Sequence, residues 1–290
     1  MIKIIKNPKK KNKKKEKKMS KILILILYIS LSFEFKGPLD YSNQNNWPGD
    51  CTTGHSQSPI NIPDSFDIEY DSEYSNQRFV FEEINYTPIE STAITYEHEY
   101  SISTPSLNNG VIKVKINGTE YTYSLVNVHF HLNAEHTING TLYPMEMHIV
   151  HENVNKNDTL NLHLVLGYIF KIGVLENAFL EKIGLGTGGN VSNVVLQDIV
   201  QKEPVYYYKG GLTTPLCTED VNWVVVKDIK HMSKTQFDKF KSYVESVNKN
   251  YAVTGNNRRI HPANGRKVYI SNSAFIQTSF FLILLGFLFI

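Results

Sequence analysis

The plainest hydrophobic pattern in the chain is the alternation around Leu125–Leu132. In an extended segment Leu125, Asn127, His129 and His131 fall on one face, and Val126, Val128, Phe130 and Leu132 on the other. Tyr121–Leu132 is therefore read as a strand. Met145–Val150 is read as a second, with Glu146, His148 and Val150 sharing a face. Asn139-Gly140 signals a turn between them, but the connection is longer than a tight hairpin, so a loop is expected there. Shorter strands are predicted at Phe79–Phe81, Ala93–Tyr96 and Val111–Ile116. Leu162–Phe170 and Val221–Val226 are apolar runs whose length and β-branched content fit buried strands. Helices are predicted at Leu175–Ile183, at Asn193–Val200 and from Ser233, where Ser-x-x-Gln forms a capping box. The apolar stripe of that last helix, Phe237, Phe240, Val244 and Val247, is expected in the core. The pattern predicts a single mainly β domain: a largely antiparallel sheet with small surface helices, without internal repeats.

Charge and chemistry then single out the two facing segments. If they pair antiparallel, His129, His131 and His148 converge from rigid backbone. Three protein nitrogens with an open fourth position is the catalytic zinc arrangement, whereas a structural site is closed by a fourth ligand. Glu146, beside the third histidine, is placed to orient an imidazole. The competing reading is a chance His-x-His, against which stand the opposing apolar face and the adjacent carboxylate. His151 has the wrong parity relative to His148 and is not counted as a ligand.

Five stretches occur in order and at familiar spacing: Gln57-Ser58-Pro59-Ile60-Asn61-Ile62, Val128-His129-Phe130-His131, Ala134-Glu135-His136-Thr137, Met145–His151 and Leu212-Thr213-Thr214-Pro215. Together they resemble the alpha-class carbonic anhydrases, over Tyr41 to Val268. The resemblance implies a central twisted, mostly antiparallel sheet of about ten strands with zinc at the base of a cone-shaped cleft. It implies reversible hydration of carbon dioxide to bicarbonate and a proton, by zinc-bound hydroxide. His129, His131 and His148 would hold the metal, and Thr213, passing its hydroxyl proton to Glu135, would orient the attacking oxygen. Glu146 and Asn127 would steady the ligand rings, Asn127 standing where many members carry Gln. Val150, Val165, Leu212, Thr214 and Trp223 would form the substrate pocket, with Tyr41 near the hydrogen-bond network and His136 a structural histidine. Fast members carry a proton-shuttling histidine after Asn-Asn-Gly; here Asn108-Asn109-Gly110 is followed by Val111, which cannot titrate. His98 is a candidate substitute, and Asn109 a candidate for ordering water. Two other classes compete: a surface binding or adhesion module that keeps the fold, which loss of a ligand histidine would favour, and a structural or storage zinc protein, which a fourth His or Cys ligand would favour.

Composition changes the picture at the ends. At 290 residues and 41% hydrophobic, the chain can bury one large core. Residues 1–32 hold eleven lysines and one glutamate, so of the net +2 they contribute +10 and the remainder is −8. The mature domain, 33–273, is thus acidic and shows no nucleic-acid-binding patch. Lysines followed by the apolar run Ile22–Leu31 and Ser30-Leu31-Ser32 read as a secretory signal, with Met19 an alternative start. An extracellular or cell-surface location is expected. Cys51 and Cys217, an even pair in a secreted chain, are expected to form a disulfide, as the resemblance also implies. Acceptor triplets for N-glycans at Asn85, Asn117, Asn139, Asn157 and Asn190 agree with that route. In the tail, 274–290, Phe280–Ile290 is too short to span a bilayer, which needs about 20 residues. Small residues at Ser271–Ala274 suggest a signal exchanged for a GPI lipid anchor; the rival is a plain hydrophobic tail.

Overall fold

A computed structural model describes residues 39–63, 69–70, 78–96, 100–103 and 110–271. The basic leader, the hydrophobic tail, His98 and Asn109 lie outside the described residues. A thirteen-stranded mixed sheet dominates, ten of its strands following one continuous path, accompanied by a three-stranded sheet. At its centre run Thr119–Leu132, Met145–Asn153 and His163–Gly173, neighbours paired antiparallel, with Val221–Val226 parallel to the last. Tyr100–Ser103 pairs with the Thr119–Leu132 strand beside its histidines, while Gly110–Ile116 pairs with its outer end.

The central strands are apolar on both faces, and alternation sends neighbouring residues into two separate clusters. Leu164, Leu166, Tyr168, Phe170, Val224 and Val226 enter the larger core with Val128, Phe130, Met147 and Ile149. Val165, Ile169, Val221, Trp223 and Val225 enter a smaller cluster with Ile60, Ile62, Tyr206 and Tyr208. The histidines stand on the side of the smaller cluster.

Strict alternation fails at one point, and that corrects the expected face of Leu125. Val150 pairs with Asn127 but His151 pairs with Leu125, so Val126 is an extra residue, a β-bulge. Asn127, His129 and His131 stay on the metal side, while Leu125 turns into the larger core. The loop expected between Leu132 and Met145 contains a small hairpin, Thr137–Ile138 with Thr141–Leu142. Asn139 and Gly140, both at positive φ, make its turn.

The predicted helices fare unequally. Lys234–Val247 forms with its capping box intact, Ser233 and Gln236 each accepting the other's backbone N–H. Phe240 and Val244 are buried and Phe237 packs against the core, but Val247 is 46% exposed at the helix end, so the stripe is shorter than expected. The Leu175–Ile183 helix shrinks to Ala178–Lys182, started by the Asn177 side chain, and leaves Leu175 in solvent. The expected Asn193–Val200 helix is a strand, Asn190–Val194, followed by a short 3-10 turn, Leu196–Asp198. Asn193 takes φ +54, outside the right-handed helical region, and Val191 and Val194 are buried where the strand pairs with Ile89–Tyr96.

Cys51 and Cys217 are joined, fastening the entry segment to the loop that carries Thr213 across a sequence separation of 166. Closing so long a loop restricts the unfolded chain, worth about 5 kcal/mol in the chain-entropy account. The Cys51→Ala/Cys217→Ala double variant is therefore expected to unfold at lower urea concentration, its unfolding free energy reduced by an amount approaching that figure. Intact-mass analysis after alkylation, with and without reduction, checks the bond itself; two alkylated thiols in the native protein would contradict it.

Candidate metal centre

His129 and His148 are direct cross-strand partners, and His131 is the partner of Glu146 one step further along. Pairing on rigid central strands puts a ring nitrogen of each histidine within 4.8 Å of the others. All three are buried.

Each ring is gripped at its other nitrogen. Asn127 Oδ1 lies 2.9 Å from His129 Nδ1, so the shorter amide reaches. The Asn256 carbonyl lies 2.8 Å from His131 Nδ1, and Glu146 Oε1 lies 2.9 Å from His148 Nε2. A carbonyl or carboxylate oxygen only accepts, so each gripped nitrogen carries the proton and donates. The lone pairs of His129 Nε2, His131 Nε2 and His148 Nδ1 are then left facing one another. His129 Nε2 and His148 Nδ1 approach to 3.2 Å, and His131 Nε2 is buried without a hydrogen-bond partner. Protonating the rings is a poor remedy. Burial pushes His131 down to about 4, and it lowers His148 too, although the Glu146 carboxylate opposes it. Convergent, buried imidazoles fit a cation, to which each ring could offer one nitrogen.

Glu146 is the keystone of this arrangement. Its Oε1 accepts from His148 and from His136 Nδ1 at 2.8 Å; its Oε2 accepts the backbone N–H groups of Glu135 and His136 at 2.9 and 2.8 Å. Burial by itself would raise this carboxyl, but His136 and His148 hold it well below the usual range. His136 passes the chain outward: its Nε2 lies 2.7 Å from the Tyr208 hydroxyl, whose oxygen is 2.9 Å from Ser58 Oγ. His136 is thus a hydrogen-bonded structural residue. His151 faces the larger core, 2.8 Å from the Tyr86 hydroxyl, with its pKa driven by burial to about 4.

Glu135 and Thr213 are buried beside the histidines. Glu135 Oε2 lies 3.7 Å from His131 Nε2 and 3.9 Å from His148 Nδ1, while Oε1 accepts the Arg258 N–H at 2.7 Å. Burial raises the Glu135 carboxyl; the His148 ring, the Thr213 hydroxyl and the Arg258 N–H pull it back. Val165 and Trp223 belong to the smaller cluster, with Val150 and Leu212 packed against it. The Trp223 ring stands edge-on to His148, centroids 4.9 Å apart. Thr214 is half-buried in the Thr213 loop, and Tyr41 is buried, edge-on to Trp47 and Tyr251. Val111 is half-buried at the end of its strand.

Three contributors escaped the sequence reading. Asn256 supplies the carbonyl to His131 and its Oδ1 to the Leu132 N–H at 2.6 Å. Arg258, a buried guanidinium, donates to Ser58 O and to Gln57 Oε1, both at 2.7 Å, and to the Cys51 carbonyl at 3.3 Å. Gln57 in turn donates to the Cys217 carbonyl at 3.1 Å. Gln57 stood inside a quoted motif, but nothing near Asn256 or Arg258 in sequence marks them, since both reach across more than 100 residues.

Residues 42–272 match the model of the eukaryotic-type carbonic anhydrase family. The chain belongs to that family. A carbonic anhydrase of Neisseria gonorrhoeae is 32% identical over 225 residues, 75% of this chain and 78% of that protein. A carbonic anhydrase of Dunaliella salina is 32% identical over 80% of this chain, which spans 44% of that longer relative. Among solved structures, the alpha-carbonic anhydrase of Thermovibrio ammonificans in complex with the inhibitor sulfanilamide is 30% identical, with TM-score 0.59, over 76% of this chain and 89% of that one. Family and geometry thus meet at one group of residues, the three histidines that could hold a metal ion.

The buried neutral histidines carry a pH dependence. Unfolded histidine has its ordinary value of 6.5, whereas His131 and His151 fold at about 4, so the unfolded chain binds more protons between these limits. Stability of the metal-free protein should hold above about pH 6.5 and fall toward pH 4, by up to about 3 kcal/mol for each such group. Urea midpoints measured from pH 7 to pH 4.5 check this; a flat profile would contradict it, and His151→Gln should flatten it in part.

Proposed function

We propose that the protein is a zinc-dependent carbonic anhydrase catalysing the reversible hydration of carbon dioxide to bicarbonate and a proton. The observation that carries this reading is the convergence of three buried imidazole lone pairs, each ring fixed from behind by an acceptor. Zinc, held by His129 Nε2, His131 Nε2 and His148 Nδ1, would lower the pKa of water it binds from 15.7 to about 7, supplying hydroxide at neutral pH.

The chain's own groups supply the rest. Neutral imidazole ligands leave the positive charge of the metal undiminished, and the Asn127, Asn256 and Glu146 acceptors hold the rings in the required tautomer. Thr213 would donate its hydroxyl proton to Glu135 and could then only accept at its oxygen. It therefore selects and aims a protonated oxygen at the site. The Arg258 N–H, on a segment fixed by a buried guanidinium, occupies Glu135 Oε1 and leaves Oε2 to take the Thr213 proton. Val150, Val165, Leu212 and Trp223 offer an apolar wall to carbon dioxide, which gains nothing from hydrogen-bond donors there. With all three histidines in place, an adhesion module that has lost the metal has no support here.

The secretory assignment belongs to the same proposal. It is supported by the Cys51–Cys217 disulfide and by the exposure of all five glycan-acceptor asparagines, Asn85, Asn117, Asn139, Asn157 and Asn190. Attachment to the cell surface through a C-terminal lipid anchor is tested by release with a phosphatidylinositol-specific phospholipase.

Stopped-flow carbon dioxide hydration by the mature domain should depend on zinc and disappear with a strong chelator. His148→Ala should lose both bound zinc and hydration, because two histidines leave the metal under-coordinated. Full activity at normal zinc content in that variant would refute the site. Sulfanilamide, bound in the Thermovibrio ammonificans structure, is expected to inhibit.

A further inference from the structure

Every hydration event releases a proton that must leave the site before the next, and Val111 cannot take it. Pairing across the sheet places Val111 in one row with Ser124, Glu152, His163 and Val221. The row lies on the metal side. Val111 and Ser124 alternate with core residues Ile112, Tyr123 and Leu125, while His163 stands two residues from Val165 and directly beside Val221, both of the smaller cluster. It is the second row outward from His148, beyond Val150 and Val165. At about 3.3 Å per residue it stands about 13 Å along the strand, a span for linked water molecules.

His163 is equipped for the task. Its Nδ1 lies 2.9 Å from Asp220 Oδ1, and the pair is partly open to solvent, at 19% and 14% exposure. An ionised carboxylate only accepts, so Nδ1 carries the proton and Nε2 holds a lone pair that makes no hydrogen bond among the described residues. Charged groups face it from two elements: Asp220 ahead of the Val221–Val226 strand, and Glu152 across the Met145–Asn153 strand, itself 2.6 Å from Lys156 Nζ. Histidine is the side chain whose ordinary protonation change spans neutral pH.

We propose that His163 is the proton-transfer residue of this enzyme, oriented by Asp220 and placed in the row where Val111 offers no titrating group. The inference rests on the carbon dioxide hydration reading above. Nε2 accepts the released proton through water, giving an imidazolium next to the Asp220 and Glu152 carboxylates, and then returns it to a buffer base. Nδ1 keeps its own proton on Asp220 throughout, so one proton enters and one leaves per turnover.

The test uses the zinc-loaded full chain and 18O exchange between carbon dioxide, bicarbonate and water, which separates interconversion from proton-dependent release of label. In weak buffer His163→Ala should slow label release and kcat on the order of tenfold or more, while interconversion and kcat/KM hold. Imidazole in the buffer should restore the loss, and Val111→His should restore it within the same chain. His163→Gln, which keeps bulk and polarity, should behave as His163→Ala does if proton transfer is at stake; full kcat in the glutamine variant would mean the alanine effect is structural and would overturn the proposal. Equal kcat in His163→Ala and the unmodified chain would overturn it too, as would a parallel fall in kcat/KM. A second readout is independent of activity: diethyl pyrocarbonate should label His163 in the protein as isolated, and leave the fully buried His131 and His151 untouched. An unlabelled His163 would overturn the relay alone. Absence of interconversion in the unmodified zinc protein would strike the hydration reading itself and the relay with it.

Discussion

A carboxylate sealed from water is the constraint on which this site depends. Glu146 is fully buried and ionised, a state tolerable only because four N–H groups point at it. Two of those donors are ring nitrogens and two are the backbone of the Glu135–His136 turn. The same contacts that stabilise the charge fix the tautomer of His148, the orientation of His136 and the position of Glu135. Replacing the carboxylate by an apolar group would free all of these together.

The three imidazoles are consequently preorganised and frustrated at once. Each is fixed from behind by an acceptor, and each turns a lone pair toward the other two. A low-dielectric setting makes protonation costly, so the unfavourable arrangement persists until a cation relieves it. The outer polar shell, from Arg258 through Gln57 to Cys217 and the disulfide, ties the loop bearing Thr213 to the entry segment. Loop residues thereby gain the rigidity that the ligand strands have from the sheet, which is what positioning an oxygen for attack requires.

The sheet does more than hold ligands. Because its central strands are buried on both faces, one face forms the main core and the other forms the site and its apolar wall. The Val126 bulge lets a single strand serve both demands, presenting histidines at one end and returning Leu125 to the core before its outer end. One pairing register thus sets the ligand row, the apolar row beyond it, and the row of titratable groups beyond that.

Much of this was legible in the sequence. The His-x-His strand, the answering Glu-x-His strand and the Ser233 capping box follow from local rules, periods of two and 3.6 and a side chain bonding its own backbone, so residues within a few positions determine them. Family likeness in five ordered motifs carried the roles of Thr213 and Glu135 as far as an expectation. Tertiary structure decided the rest because the deciding forces act between distant residues. Val194 left its predicted helix to pair with Ile89, and Leu125 changed face because a bulge depends on the partner's register. Asn256 and Arg258 hold the site from more than 100 residues away, and His163 gains its place only when Glu152 and Val221 flank it. Alternation along one strand fixes which residues share a face; which rows of different strands meet is fixed by pairing across the sheet.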